Sequence, residues 1–167
     1  NKCNFIEDDI FSVVSSSCNQ RDPYDCALIV GALEHFATYK MYKTGEHIER
    51  YRQFFTALRQ CTQGEVALQA LVTMRPTGRM PIQEQKKSLR TWRYISKKVF
   101  PNSLMPPIED LKESLSGIYH INRYEVNTID YPRTIKIWQE RLHQIKKTIS
   151  PNVFETYDTY FNMSIEY

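Results

Sequence analysis

Several features that define common protein classes are scarce or absent in this chain of 167 residues. It has only four cysteines, no Cys-x-x-Cys pair and no histidine at zinc-finger spacing, which excludes a cysteine-based metal module. No P-loop, serine-hydrolase elbow or G-x-G-x-G loop occurs among its 5 glycines. No apolar run approaches the roughly 20 residues of a membrane-spanning helix, and no signal-peptide pattern opens the chain. We therefore expect a globular protein with no integral membrane segment and no bound metal.

The charge is also small, at +3 from 22 basic and 19 acidic side chains. A nucleic-acid-binding domain carries a denser basic face, so we expect no nucleic-acid partner. The basic runs at residues 86–90 and 146–147 are interpreted as solvated helix faces. We expect all four cysteines to be reduced thiols of a cytoplasmic protein, with Cys26 packed as a small hydrophobe.

The apolar segments that remain predict a parallel sheet. Residues 26–30, between Asp25 and Gly31, form a continuous apolar run typical of a strand buried on both faces. Residues 66–72 predict a second strand. Between them, apolar side chains from Ile48 to Cys61 recur at helical spacing. Strand, helix, strand is the pattern of a right-handed crossover unit, so the sequence predicts an α/β fold.

The remaining pattern predicts helices with two further short strands. Phe5 and Ile6 predict one strand and residues 118–124 another, with a loop that contains up to one helical turn over residues 12–23. Helices are expected at residues 89–99, 108–115 and 131–149, and a last one begins at the Ser150-Pro151 cap. We interpret residues 1–167 as a single domain with no internal repeat.

Polar side chains at the expected strand ends are the candidate functional residues, since ligands of such sheets bind at the carboxyl ends of the strands. Glu34 and His35 either orient a substrate and take a proton or merely cap the next helix. Asp8 either accepts a hydrogen bond from a ligand or caps the next turn. Gln69, in an apolar strand, either faces the site or satisfies neighbouring backbone.

Four segments, in order, resemble the family of cyclopropane-fatty-acid synthases and mycolic acid methyltransferases. Residues 24–36, YDCALIVGALEHF, are similar to its segment around a Glu-His pair. The sequence YRQFF at 51–55, followed by Gly64, resembles its next helix and turn. ISKKVFPNSLMP at 95–106 and DYPRTIKIWQERL at 130–142 resemble two later motifs. Each segment alone is weak, whereas together they cover about residues 5 to 165.

This resemblance implies a partial Rossmann-like class I methyltransferase sheet with a helical lid at about residues 82–116. It implies S-adenosyl-L-methionine as cofactor and a small-molecule or lipid-like methyl acceptor as partner. Catalytic roles would fall to Glu34, His35 and Tyr131. The implied cofactor-binding residues are Asp8, Asp9 and Gly31, and the implied substrate pocket contains Gln69, Phe100 and Tyr157.

Two departures from the family matter. Its glycine-rich cofactor loop is absent, so we expect that loop upstream of Asn1 or on a partner chain. Gln69 stands where the family usually has a histidine, which favours plain methyl transfer over bicarbonate-assisted cyclopropane formation. The alternatives are a degenerate, non-catalytic subunit that binds a partner, and an enzyme acting at a lipid surface, for which the sequence shows no clear basic amphipathic helix.

Overall fold

The computed structural model describes residues 6–17, 23–73, 81–127 and 129–165, except the side chains of residues 15–17. These residues form two compact units, Asn1–Arg75 with Ser103–His120 and Pro76–Asn102 with Ile121–Tyr167. Within the first unit the elements are α1 Ile10–Ser17, β1 Ala27–Val30, a 3-10 turn Leu33–His35, α2 Tyr39–Thr44, α3 Glu46–Cys61, β2 Val66–Gln69 and α5 Ile108–Leu115. Those of the second unit are α4 Ile82–Tyr94, a π-helical turn Ile95–Val99, α6 Tyr131–Gln144 and α7 Pro151–Ile165.

The predicted parallel strand pair is confirmed. β1 and β2 pair in parallel with Ala27 opposite Val66 and Val30 opposite Gln69, and α3 connects them. β1 begins one residue later than the apolar run 26–30, and β2 ends at Gln69, before the end of the run 66–72. The expectation that β1 is buried on both faces is wrong, because Leu28 is 75% exposed. The sheet of the described residues has two strands, and it leaves that face uncovered.

Aromatic side chains on α3 form the core of the first unit. Tyr51, Phe54 and Phe55 are almost fully buried, at the i, i+3 and i+4 spacing of a single helical face. The Phe36 ring, in the segment after β1, contacts that of Phe54 with centroids 4.5 Å apart. This packing anchors the chain immediately after β1 against α3.

A second apolar cluster forms the core of the other unit. Val99, Ile135, Tyr160 and Phe161 are buried there, with five partly buried side chains packed around them: Tyr94, Ile95, Tyr131, Leu142 and Ile165. Ser150 accepts a hydrogen bond from the Val153 amide, which confirms the expected cap of α7. The helices expected near residues 89–99, 108–115 and 131–149 are all present, and the last ends at Gln144.

Some sequence expectations are wrong. The stretch 12–23, expected as a loop with up to one helical turn, begins instead inside the eight-residue helix α1, and residues 18–22 lie outside the described residues. Asp9 caps the first turn of α1 by accepting from the amides of Phe11 and Ser12. Residues 118–124 and Ile6 are not in strands, and Phe5 lies outside the described residues. Residues 120–124 are all exposed, so no apolar face favours strand pairing there.

The cysteine expectations also need correction. Cys61 is disulfide-bonded, so the four cysteines are not all reduced thiols. Cys26 is a free thiol but exposed rather than packed, and it lies just before β1. In the described segments, no helix combines the length and the apolar character needed to span a membrane.

Candidate functional site

Glu34 occupies the turn immediately after β1 and is fixed there by backbone hydrogen bonds. Its side chain is 6% exposed. Its Oε1 accepts a hydrogen bond from the Leu71 amide at 2.5 Å, just beyond β2. Its backbone carbonyl accepts from the Leu104 amide at 2.7 Å. The carboxylate is therefore held at the carboxyl ends of both strands.

The second carboxylate oxygen of Glu34 differs from the first in its environment. Oε2 is buried and has no hydrogen-bond partner among the described residues. An unsatisfied buried acceptor costs about 1–3 kcal/mol, and more when it is charged, so such atoms are rare unless they have a function. Among the described carboxylate oxygens of this turn, Oε2 is therefore the one with unused hydrogen-bond capacity.

Tyr51 lies in the electrostatic environment of Glu34. Its hydroxyl is buried on α3 and has no hydrogen-bond partner among the described residues. Burial raises the pKa of Tyr51 well above its ordinary value, and the negative charges of Glu34 and Asp110 raise it further. The side chain therefore stays a neutral hydroxyl, suited to donate a hydrogen bond rather than to act as a base.

A buried polar pair joins α3 to α5. His47 Nε2 and Asp110 Oδ2 are 2.8 Å apart, and both side chains are almost completely buried. His47 Nδ1 has no hydrogen-bond partner in the described chain. The pair fixes α5 against the helix that carries Tyr51.

Gly31 and Gln69 lie together at the ends of the two strands. The Gly31 amide donates to the Gln69 carbonyl at 3.0 Å. Gly31 has φ +59, and a Cβ built on it would be 4.0 Å from Gln69 Oε1. The expectation that Gln69 needs a buried partner is wrong, because the strand alternates and Gln69 falls on its exposed face.

Asp8, Asp9 and His35 are all exposed. The capping role considered for Asp8 belongs to Asp9, whereas Asp8 Oδ1 accepts from the Asp9 amide at 2.7 Å. Glu34 and His35 are adjacent in the chain, but only Glu34 is buried, because successive residues of a 3-10 turn point about 120° apart. Their shared position after β1 does not give them a shared environment.

The second unit brings together the other sequence candidates around Tyr160. The hydroxyls of Tyr131 and Tyr160 are 3.4 Å apart, and the Phe100 ring meets that of Tyr160 edge-on with centroids 6.2 Å apart. Tyr157 contacts the neighbouring Phe161 ring, also at 6.2 Å. Burial raises the pKa of Tyr160, and its hydrogen bond with Tyr131 adds to this.

Sequence reasoning missed Tyr51, His47 and Asp110. A signal was present, since His47 and Tyr51 are four residues apart on one face of α3 and both fall on its apolar side. Within the part of the chain that the structure describes, no three His, Cys, Asp or Glu side chains are grouped as a metal site.

Comparisons with known proteins agree with this architecture. The model of the family described as mycolic acid cyclopropane synthetase matches residues 14–167. No curated protein matches the sequence.

Solved structures share the fold at low sequence identity. The cyclopropane synthase MmaA2 from Mycobacterium tuberculosis is 21% identical with a TM-score of 0.68, over 87% of this chain and 50% of its own. Mycolic acid cyclopropane synthase CmaA1, complexed with SAH and CTAB, is 22% identical with a TM-score of 0.71, over 90% and 52% of the two chains. The present chain therefore spans about half the length of each.

Proposed function

This chain belongs to the mycolic acid cyclopropane synthetase family. We therefore propose that the protein that contains it transfers a methyl group from S-adenosyl-L-methionine to a small-molecule or lipid-like acceptor. The observation that carries the proposal is Glu34, a buried carboxylate with one oxygen held and the other without a partner in the described chain. The relative CmaA1 was solved with SAH and CTAB bound, which supports the cofactor class and a long-chain acceptor.

The proposed cofactor-binding residues fit a nucleoside-bearing ligand. Gly31 lies at a strand end and has open space where a side chain would be, with its nearest neighbour 4.0 Å away. Asp8 and Asp9 present exposed carboxylates, and Asp8 would accept from an adenine amino group. The chain has no G-x-G-x-G loop, so we propose that this loop comes from sequence outside these residues, on the same polypeptide or a partner chain.

When bound, S-adenosylmethionine supplies an electrophilic methyl group on a sulfonium. The work left to the protein is to position the acceptor and exclude water. We assign Glu34 to orient the acceptor through Oε2 and to take its proton where one is released. The Leu71 hydrogen bond keeps that oxygen in one place. On the basis of the family resemblance, we also assign His35 and Tyr131 supporting roles in the reaction.

On the basis of the family resemblance, we propose acceptor-binding roles for Gln69 in the first unit and for Phe100 and Tyr157 in the second. The aromatic cluster that contains Phe100 and Tyr157 favours an apolar acceptor. Glutamine does not titrate as an imidazole does, so Gln69 favours plain methylation of carbon, nitrogen or oxygen over bicarbonate-assisted cyclopropane formation.

A cytoplasmic location is part of the proposal, although a disulfide at Cys61 is more typical of an oxidising compartment.

The test uses the intact protein that contains this chain, incubated with methyl-labelled S-adenosylmethionine and a lipid extract. We expect label in the lipid fraction, and proton NMR of the product distinguishes a cyclopropane, through its high-field ring protons, from an added methyl group of the same mass. Cofactor binding without transfer to any lipid or small amine acceptor would favour the non-catalytic alternative.

A further inference from the structure

Basic side chains are unevenly distributed along the chain. Residues 82–99 hold six of the 22 lysines and arginines but one of the 19 acids, which leaves 16 basic and 18 acidic side chains elsewhere. The positive net charge of the protein therefore resides in α4 and the π-helical turn that follows it. Such a concentration favours binding to an anionic surface.

Part of this charge lies on a single face of α4. Ile82, Lys86, Leu89 and Arg93 are separated by four, three and four positions, which places them on one stripe of the helix. All four are exposed, and the two apolar side chains are exposed by 70% and 43% respectively. Lys97, also exposed, follows four positions later in the π-helical turn. We call this stripe of five residues the basic-apolar face.

Another face of α4 is held by α7. The Tyr94 hydroxyl donates to the Thr156 carbonyl at 3.1 Å, and Thr91 lines a shallow groove with Thr159 and Met163. Tyr94 and Thr91 lie on helical positions well away from the stripe. The packing therefore fixes α4 while the basic-apolar face remains outward.

The basic side chains of this face have no acidic partner within the described segments. Neither Lys86 nor Arg93 forms an ion pair with any residue there, and the same holds for Lys97. Their charges are available to an external ligand.

We propose that the basic-apolar face docks the protein on an anionic lipid bilayer, with its lysines and arginine at the headgroups and Ile82 and Leu89 inserted between them. A helix at a membrane interface uses basic side chains to meet anionic headgroups and apolar side chains to enter the boundary with the acyl chains. The exposed basic-apolar face supplies both, although no such helix is clear from the sequence pattern alone. A nucleic acid or a hydrophilic acidic protein would use the charges but gain little from the apolar side chains. The proposal does not depend on methyl transfer, because binding to lipid is measured without cofactor or turnover.

The test is co-sedimentation of the intact protein with vesicles of phosphatidylcholine and phosphatidylglycerol in equal amounts, against vesicles of pure phosphatidylcholine. We expect binding to the anionic vesicles alone. Each basic residue at such a surface contributes about a five-fold change in partitioning, so Lys86→Gln with Arg93→Gln should lower it on the order of 25-fold. The matched control, Lys136→Gln with Lys147→Gln, makes the same charge change at exposed sites on and after α6 and should retain most of the binding.

A second variant separates lipid insertion from charge attraction. Leu89→Ser keeps every charge, and we expect it to lower vesicle partitioning about ten-fold because the leucine side chain no longer enters the bilayer. It should leave binding to polyglutamate unchanged. Circular dichroism checks that each variant stays folded.

Three results would overturn the proposal. The first is an equal loss of vesicle binding in the double variant of α4 and in the control double variant. The second is vesicle binding that Leu89→Ser leaves unchanged. The third is binding of the protein to polyglutamate without binding to the anionic vesicles. The last result would assign the face to an acidic protein instead.

Discussion

Glu34 Oε1 accepts a hydrogen bond from the backbone amide of Leu71, which joins the turn after β1 to the segment after β2. The two residues are 37 positions apart in the chain, and the parallel strand pair brings them together. The bond orients the carboxylate and leaves Oε2 as the oxygen without a described partner. The proposed role of Glu34 in methyl transfer depends on that asymmetry.

The His47–Asp110 pair should make a measurable contribution to stability. Asp110→Ala leaves the buried imidazole without its partner, so we expect the free energy of unfolding of the intact protein to fall by about 3 kcal/mol. Urea denaturation measures the change. The exposed neighbour provides the control, since Glu109→Ala on the same helix should change stability by less than about 0.5 kcal/mol.

A double substitution tests whether the loss in Asp110→Ala comes from the unpaired imidazole or from the absence of the His47–Asp110 pair. Replacing both residues with apolar ones, His47→Phe with Asp110→Leu, should recover most of the loss, because the buried imidazole is then removed together with its partner carboxylate. A double variant as unstable as Asp110→Ala would contradict this explanation.

Tyr51 should make stability depend on alkaline pH. Because burial raises its pKa in the folded state, the folded protein holds this proton more tightly than the unfolded chain does. Its contribution is therefore complete below the ordinary tyrosine pKa of 10.0 and is lost as the pH rises above it. Denaturation at a series of alkaline pH values should show stability falling, and Tyr51→Phe should make the fall shallower.

The same variant tests whether the Tyr51 hydroxyl is unpartnered. At neutral pH, Tyr51→Phe removes a buried hydroxyl that has no partner in the described chain, so stability should stay equal or rise by up to about 1 kcal/mol. Tyr24→Phe, at an exposed site, is the control. A marked loss of stability in Tyr51→Phe would show that the hydroxyl has a partner after all.

Two glycines should respond differently to alanine. A Cβ on Gly64 would overlap the Asp25 carbonyl oxygen, which is backbone, whereas one on Gly31 has 4.0 Å of clearance. Gly31→Ala pays only for its left-handed conformation, about 1–2 kcal/mol. We expect Gly64→Ala to cost more than that, because the chain entering β2 must move away from the Asp25 backbone, two residues before β1. Thermal denaturation ranks the two variants, and a larger loss in Gly31→Ala would be contrary to the structure.

Local periodicity predicted most of the helices but not the environment of the strands. The stripe from Ile48 to Cys61 predicted α3 because a buried helical face repeats every three to four residues. The run at 26–30 predicted a strand but overestimated its burial. Whether the face carrying Leu28 is covered depends on chain segments elsewhere, and these are invisible to a local pattern.

The candidate site was predicted only in part, for a similar reason. The position of Glu34 after β1 followed from the apolar run that precedes it, whereas its functional role stays a prediction. The proximity of Asp110 to His47 joins residues 63 positions apart, and no spacing rule reveals such a contact. Asp9, not Asp8, caps α1, because a one-residue shift in a helix start moves the capping position with it.

The most direct test of the proposed function is Glu34→Gln in the intact protein, with cofactor affinity and methyl transfer measured on the same preparation. Glutamine keeps the size of the side chain and an oxygen for the Leu71 amide, but it removes the charge and the proton acceptor. We predict unchanged binding of S-adenosylmethionine and a fall in the transfer rate of about 100-fold or more, typical of a lost acid–base group. Full transfer activity in Glu34→Gln would contradict the assignment of this carboxylate to the reaction.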